Sequence, residues 1–347
     1  MPSSSPLPVP ARVLVLAPNW LGDAVMALPA LADIRRHFQA ARLVVAARRA
    51  VAELFELVPG VDEILTLNWN GALLKRAARH ADVSLLRDAD ADLAILMPNS
   101  FSSAWLVRQA GIPERWGYSS DLRSRLLTRV ARRPRRLARG TKGSIPAART
   151  AVGGTEHQGE YYQRLVRELG IANGPLEPVL LVSVDTIEAA RRMLVERGWS
   201  GAAPLVTLAP GAAYGTAKQW IPSHVTRLVS DLVGSRGASC VLVGSRGDAE
   251  TTALIRGALP AAGVSVVDLA GMTTLKVLAG VLSLSRVCVS NDSGAMHLAA
   301  AVGTPVVAIF GPTIEQATRP LTRAGISADV LTHEVWCRPC MLRECPI

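Results

Sequence analysis

The chain has 347 residues, a formal net charge of +10, 49% hydrophobic residues and only 4% aromatic ones, enough length for two domains with separate cores and a balance that suits α/β layers better than a β-sandwich. No apolar run reaches the roughly 18 to 20 residues needed to span a bilayer. The opening MPSSSPLPVP lacks the basic start and apolar core of a secretory signal and is expected to be a disordered lead over 1–11, while five scattered cysteines fit a reduced, cytoplasmic setting.

Arg12 to Ala17 is a short apolar run that predicts a strand, followed by the loop Pro18-Asn19-Trp20-Leu21-Gly22-Asp23. A helix is expected from about Ala24 to Phe38, a second strand over Arg42–Ala46 and a helix near Val51–Val58. This alternation signals a doubly wound sheet. Asp23 then sits at the carboxyl end of the first strand beside a helix start, where open α/β sheets bind ligands. Gly22 lets the backbone come close to one, and an N-cap role for Asp23 is the competing reading. Leu93–Met97 predicts a buried strand that ends in Pro98-Asn99-Ser100-Phe101-Ser102-Ser103, whose amide and hydroxyls suit hydrogen bonding to sugar hydroxyls or an ordinary loop.

Between Arg123 and Lys142 lie nine basic residues (Arg123, Arg125, Arg129, Arg132, Arg133, Arg135, Arg136, Arg139, Lys142) and no acidic one. No aromatic interrupts the run to stack a base, which disfavours nucleic acid. An anionic membrane face or a phosphorylated acceptor fits better, and a solvated loop without partner is the alternative. The run and Gly140–Thr155 are expected to form an exposed excursion. Glu156–Leu169 returns to helical spacing with Tyr161, Leu165 and Leu169 inward, and a Pro/Gly-bearing segment follows that reads as a linker.

The second half starts over. Thr186–Arg197 is expected to be helical and Leu205–Ala209 a strand, followed by a small-residue loop from Pro210 to Trp220 that carries Lys218. LVLAP in the first half and VTLAP in the second, each before a glycine-bearing loop, is the echo two Rossmann-like domains give. Lys218 reads as a surface charge or as a neutraliser of a diphosphate. Ser239–Val243 predicts a strand, and Asp248 or Glu250 in the loop behind it could take a ribose hydroxyl. A strand over Val264–Leu269 and a helix over Gly271–Ser283 precede RVCVSNDSGAMHLAAAVGTPVVAIFGPT, Arg286 to Thr313, which reads as strand, turn, helix, strand. Its helix mouth favours an anion. Asp292 or Ser293 could equally cap that helix, with Gly294 relieving the turn and His297 a partly buried polar residue.

No dinucleotide glycine fingerprint or Walker lysine motif is present, so nicotinamide redox chemistry and ATP hydrolysis lose weight. Cys337, Cys340 and Cys345 are one thiol short of a closed zinc site, for which His333 is a candidate fourth ligand. No cofactor or metal is expected to be required.

Four stretches in this order, APNWLGDAVMALPAL, LMPNSFSSAWLVRQAGIPERWGY, LAPGAAYGTAKQW and SNDSGAMHLAAAVGTPVVAIFGPT, resemble the ADP-heptose:lipopolysaccharide heptosyltransferases. The PNSF segment and the CRPCMLRECP tail look most like the members that add the second heptose of the inner core. The resemblance implies an α/β architecture of the glycosyltransferase B type, two Rossmann-like domains facing across a cleft: an acceptor domain over 12–172, a linker over 173–180 and an ADP-heptose domain over 181–347. It also implies inversion at the anomeric carbon without an obligatory metal, with Asp23 as general base and Lys218 on the donor's phosphates. Gly211, Thr216, Asp248, Glu250, Asp292, Ser293, Gly294 and His297 match donor contacts. Trp20, Gly22, Asn99 and Ser100 are the matching acceptor contacts. The acceptor would be a phosphorylated lipid A-core at the cytoplasmic face of the inner membrane, reached through basic residues 123–142. Where some relatives carry a Thr pair ahead of the lysine this chain has Ala213 and Tyr214, and it stops at Ile347 without the further helix many relatives have. Other transferases of the same family are the neighbouring alternative, and a non-catalytic nucleotide-sugar or nucleic-acid binding protein is the alternative of another class.

Overall fold

The computed structural model describes residues 10–69, 76–120, 122–133, 156–260 and 265–346. They group into two units. The first takes the described residues within Met1–Trp20, Ala27–Arg135 and Gly159–Leu176, and the second those within Leu21–Met26, Arg136–Gln158 and Glu177–Ile347. The step at Leu176–Glu177 falls inside the segment read as a linker.

In chain order, β1 (Arg12–Leu16), α1 (Leu21–Met26), α2 (Leu28–His37), β2 (Arg42–Arg48), α3 (Arg49–Ala52) and β3 (Glu63–Leu67) come first. They are followed by α4 (Arg76–Asp88), β4 (Leu93–Leu96), α5 (Phe101–Gln109), β5 (Glu114–Tyr118), β6 (Arg129–Ala131) and α6 (Gln158–Glu168). The six strands form one parallel sheet in the order β3-β2-β1-β4-β5-β6. Register runs Val13↔Leu43 on one side of β1 and Val13↔Leu93 on the other. Val13, Leu14, Val44, Ala94 and Ile95 are fully buried, because helices cover both faces of a parallel sheet. The helix expected over 24–38 is two helices. It breaks at Ala27, with Pro29 in the first turn of α2, where a missing N–H has no partner to lose.

In the second unit, α7 (Val184–Glu196), β7 (Leu205–Ala209), α8 (Pro222–Arg236), β8 (Ser239–Leu242), α9 (Ala249–Gly257), β9 (Val266–Asp268) and α10 (Leu275–Leu284) lead to the Ala-rich stretch. There β10 (Val287–Asn291), α11 (Gly294–Val302) and β11 (Val306–Phe310) form the expected strand-helix-strand, followed by α12 (Glu315–Thr318) and β12 (Ala328–Thr332). This sheet is also parallel, in the order β12-β11-β10-β7-β8-β9. Counted within each unit, both sheets share the doubly wound order 3-2-1-4-5-6, whose reversal lies between β1 and β4 in one and between β7 and β10 in the other.

Two expectations are corrected here. Asp23 was expected in the first domain, but α1 belongs to the second unit because it packs on α11. Gly22 makes that approach possible: a Cβ there would come 2.9 Å from His297 Cδ2. The basic excursion does not begin at Arg123, since that side chain is fully buried. Its Nε donates to Tyr118 O at 2.8 Å, and Nη1 donates to Pro98 O and, at 3.2 Å, to Ser103 Oγ. A guanidinium can serve several carbonyls at once, so Arg123 ties the loop after β4 to the end of β5. Arg125, Arg129, Arg132 and Arg133 are exposed, although Arg129 stands over the Trp116 ring at 4.7 Å and continues the sheet in β6. Arg135, Arg136, Arg139, Lys142, the segment 140–155 and residues 1–9 lie outside the described residues.

Arg123→Met leaves those carbonyls without their buried donor, and the unfolding free energy should fall by about 2 to 4 kcal/mol. Urea unfolding followed by circular dichroism measures it, with Arg123→Lys recovering only part of the loss because a point charge cannot reproduce the fork.

Candidate functional site

In the second unit the reversal of strand order leaves the ends of β7 and β10 side by side, and the loops leaving them part to opposite sides. The β7 loop runs from Pro210 to Gln219, and the β10 turn is Asn291-Asp292-Ser293. Asn291 ties the two together, because its Nδ2 donates to Pro210 O while its Oδ1 accepts from Trp220 N at 3.2 Å. A small depression lined by Pro210, Trp220, Ser290 and Asn291 lies at this junction.

Lys218 reaches across it. Its Nζ lies 2.6 Å from Asp292 Oδ2, with side-chain exposures of 13% and 6%, so it is not the solvated surface charge that the sequence allowed. Thr313 Oγ1 donates to the same oxygen at 2.6 Å. The Asp292 carboxylate is therefore committed to Lys218 and Thr313. Ser293 occupies the N-cap position of α11 with no side-chain cap bond. Its Oγ is instead 3.1 Å from Ser290 Oγ. The two residues that could have capped α11 do other things, and the mouth of a nine-residue helix keeps its positive end beside an ion pair.

His297, one turn in, is buried at 4% exposure. Burial pushes its imidazole down to about 4, against a smaller upward pull from Asp292, so it is uncharged at neutral pH. The imidazole packs under Gly22, while Leu21 lies against Gly294. This places Asp23, on α1, in the same unit as Lys218 and Asp292. Asp23 is the third residue of α1, not its N-cap. Gly22 was read as an acceptor contact, and its close approach is to His297.

Other donor candidates are engaged locally. Asp248 closes a capping box with Ser245, taking its N–H and Oγ at 2.7 Å each. Gly211 lies against that carboxylate so closely that a Cβ would collide with it. Glu250, in the first turn of α9, is exposed, as is Thr216, whose carbonyl accepts from Gln219 N.

In the first unit an open pocket of about 400 Å³ sits at the carboxyl edge, lined by Asn19, Arg48, Trp69, Ser100 and Ser102 among others. Ser100 caps α5 by accepting from Ser103 N at 3.3 Å. Asn99 donates from Nδ2 to Tyr161 Oη at 2.7 Å, and its Oδ1 is buried with no partner among the described residues. Trp20 is 65% exposed. Arg48 was not singled out from sequence. It ends β2 facing this pocket, with burial holding its guanidinium below the usual value. Thr313 was also passed over, since nothing local marks a threonine after a strand as a carboxylate's partner.

The tail carrying Cys337, Cys340 and Cys345 returns to the β7 loop, where Tyr214 Oη donates to Met341 O at 3.0 Å. Among the described residues no group of three or more His, Cys, Asp or Glu side chains is placed to hold a metal ion. No described helix is long and apolar enough to cross a membrane.

Lipopolysaccharide heptosyltransferase 2 of Salmonella typhimurium is 29% identical over 333 residues, covering 93% of this chain and 90% of that protein. Its Escherichia coli counterpart is 30% identical over 331 residues, with the same coverages. Among solved structures, the E. coli ADP-heptose LPS heptosyltransferase II superposes with a TM-score of 0.76 at 28% identity, covering 92% of this chain and 90% of that one. A family 9 glycosyltransferase from Veillonella parvula also reaches 0.76, at 19% identity, and shares the fold. The profile of glycosyltransferase family 9 (heptosyltransferase) matches residues 79–347, more than half of the chain, and the protein belongs to that family.

Proposed function

We propose that this enzyme transfers heptose, with inversion, from ADP-heptose to the first heptose of the lipopolysaccharide inner core. The observation that carries the reading is the Lys218–Asp292–Thr313 cluster at the mouth of α11, at the strand-order reversal of the second sheet. Relatives named heptosyltransferase 2, aligned over nine-tenths of their length, support it.

In this reading Asp23 takes the proton of the acceptor hydroxyl as it attacks the anomeric carbon. The bond to ADP breaks on the opposite face, and the charge gathering on the diphosphate meets Lys218 and the positive end of α11. No metal is required. His297, uncharged, offers a ring N–H without adding charge. In this reading Ser100, at the rim of the first unit's pocket, and the neighbouring Asn99 hydrogen-bond the acceptor's hydroxyls. The acceptor is a phosphorylated lipid A-core met at the inner face of the inner membrane, through exposed arginines such as Arg125, Arg132 and Arg133.

Incubation with ADP-heptose and a heptose-bearing core acceptor should release ADP, and no release would overturn the reading in favour of a non-catalytic nucleotide-sugar binder. Asp23→Asn should lower kcat about 10² to 10⁴-fold and leave ADP affinity within about threefold in calorimetry. Lys218→Ala should weaken ADP binding at least about tenfold and destabilise the fold, since it strands a buried carboxylate. Adding Asp292→Asn should restore the stability and not the affinity. His297 carries a lowered value, so its contribution to stability is present above about pH 6.5 and lost as pH falls toward 4, where the unfolded chain binds the proton first. Denaturant midpoints across that window should fall more steeply for the wild type than for His297→Asn.

A further inference from the structure

A departing diphosphate needs positive charge, and Lys218 alone supplies little net charge because Asp292 already balances it at 2.6 Å. A second cation stands at the same loop. Two hydrogen bonds dock the tail back onto it, and a third ties the tail to the segment after β11. Met341 N donates to Pro312 O at 2.9 Å, Ala217 N donates to Arg343 O at 3.0 Å, and Tyr214 Oη donates to Met341 O at 3.0 Å. Gly215 is the seat, since a Cβ there would collide with the Arg343 carbonyl.

Seated this way, the tail brings the Arg343 guanidinium to 5.2 Å from the centre of the Tyr214 ring. Lys218 Nζ stands 4.9 Å from the centre of the same ring. One aromatic face system thus gathers both cations, each attracted by the ring quadrupole. Arg338, the tail's other structured arginine, is spent on Glu315 at 2.5 Å and on Gly311 O at 2.9 Å. Arg343 is exposed and has no carboxylate partner among the described residues. A guanidinium offers a planar fork of donors that matches phosphate oxygens two at a time.

We propose that Arg343, delivered by the docked tail and oriented by Tyr214, binds the diphosphate of the nucleotide donor beside Lys218. The proposal rests on the donor reading of this loop. It also gives Tyr214 a function at the place where the resemblance implied a threonine, because the ring holds two cations instead of donating a hydroxyl to the phosphate.

The test is ADP titration by calorimetry at several salt concentrations for the wild type, Arg343→Gln and Arg343→Lys, with a thermal melt of each. Arg343→Gln should weaken ADP binding about tenfold, with a shallower dependence on salt and an unchanged melting midpoint. Arg343→Lys, which keeps the charge without the fork, should recover only part of that loss. Equal affinity of the wild type and Arg343→Gln overturns the proposal and leaves the donor reading standing. Equal loss in both variants with a lowered midpoint assigns Arg343 to packing and also overturns it. A wild type that binds no ADP overturns the donor reading, and the proposal with it.

Discussion

The ion pair between Lys218 and Asp292 is the constraint on which the second unit's site depends. Both partners come from loops that leave neighbouring strands, so the pair forms only because the strand order reverses between β7 and β10. With so little exposure, either charge alone would be costly to bury. The two loops are therefore held in one arrangement, with Thr313 saturating the shared oxygen and Asn291 bracing the backbone behind it. A rigid, partly dry cluster of this kind can stabilise charge without first reorganising.

Around that cluster, neighbouring elements fit by close contact more than by charge. Gly22 over His297 and Gly294 beside Leu21 let α1 lie against α11, which carries Asp23 into the unit that holds the helix mouth. His297 is uncharged because the loss of water outweighs the upward pull of Asp292, and a neutral imidazole is compatible with the apolar Ala-rich core of α11. The acidic loop residue Asp248 is held differently, by its own turn: its Oδ2 accepts from the Ser245 N–H and Oγ.

Much of this was legible in the sequence. Strands such as Leu205–Ala209 and Val306–Phe310 read correctly because a parallel strand covered on both faces is apolar throughout. Glu63–Leu67 and Glu114–Tyr118 were harder, being mixed in polarity and only partly buried. The site residues Lys218, Asp292, Ser293 and His297 could be found from their position after strand ends. Their pairing could not, because it depends on which loops the sheet order makes neighbours. Arg123 misled for the same reason: within a run of arginines nothing local distinguishes the one whose guanidinium meets the carbonyls of Tyr118 and Pro98. The split of α1 from α2 was signalled only by Pro29, and the attachment of α1 to the second unit by no local feature at all.

The seat of the tail on Gly215 carries a practical consequence for handling the protein. Because Arg343 and Met341 are pinned against the 210–218 loop, the exposed thiol of Cys345 follows directly on the anchored stretch. A bulky thiol-reactive reporter on Cys345 would crowd the nucleotide loop, so labels belong on other elements.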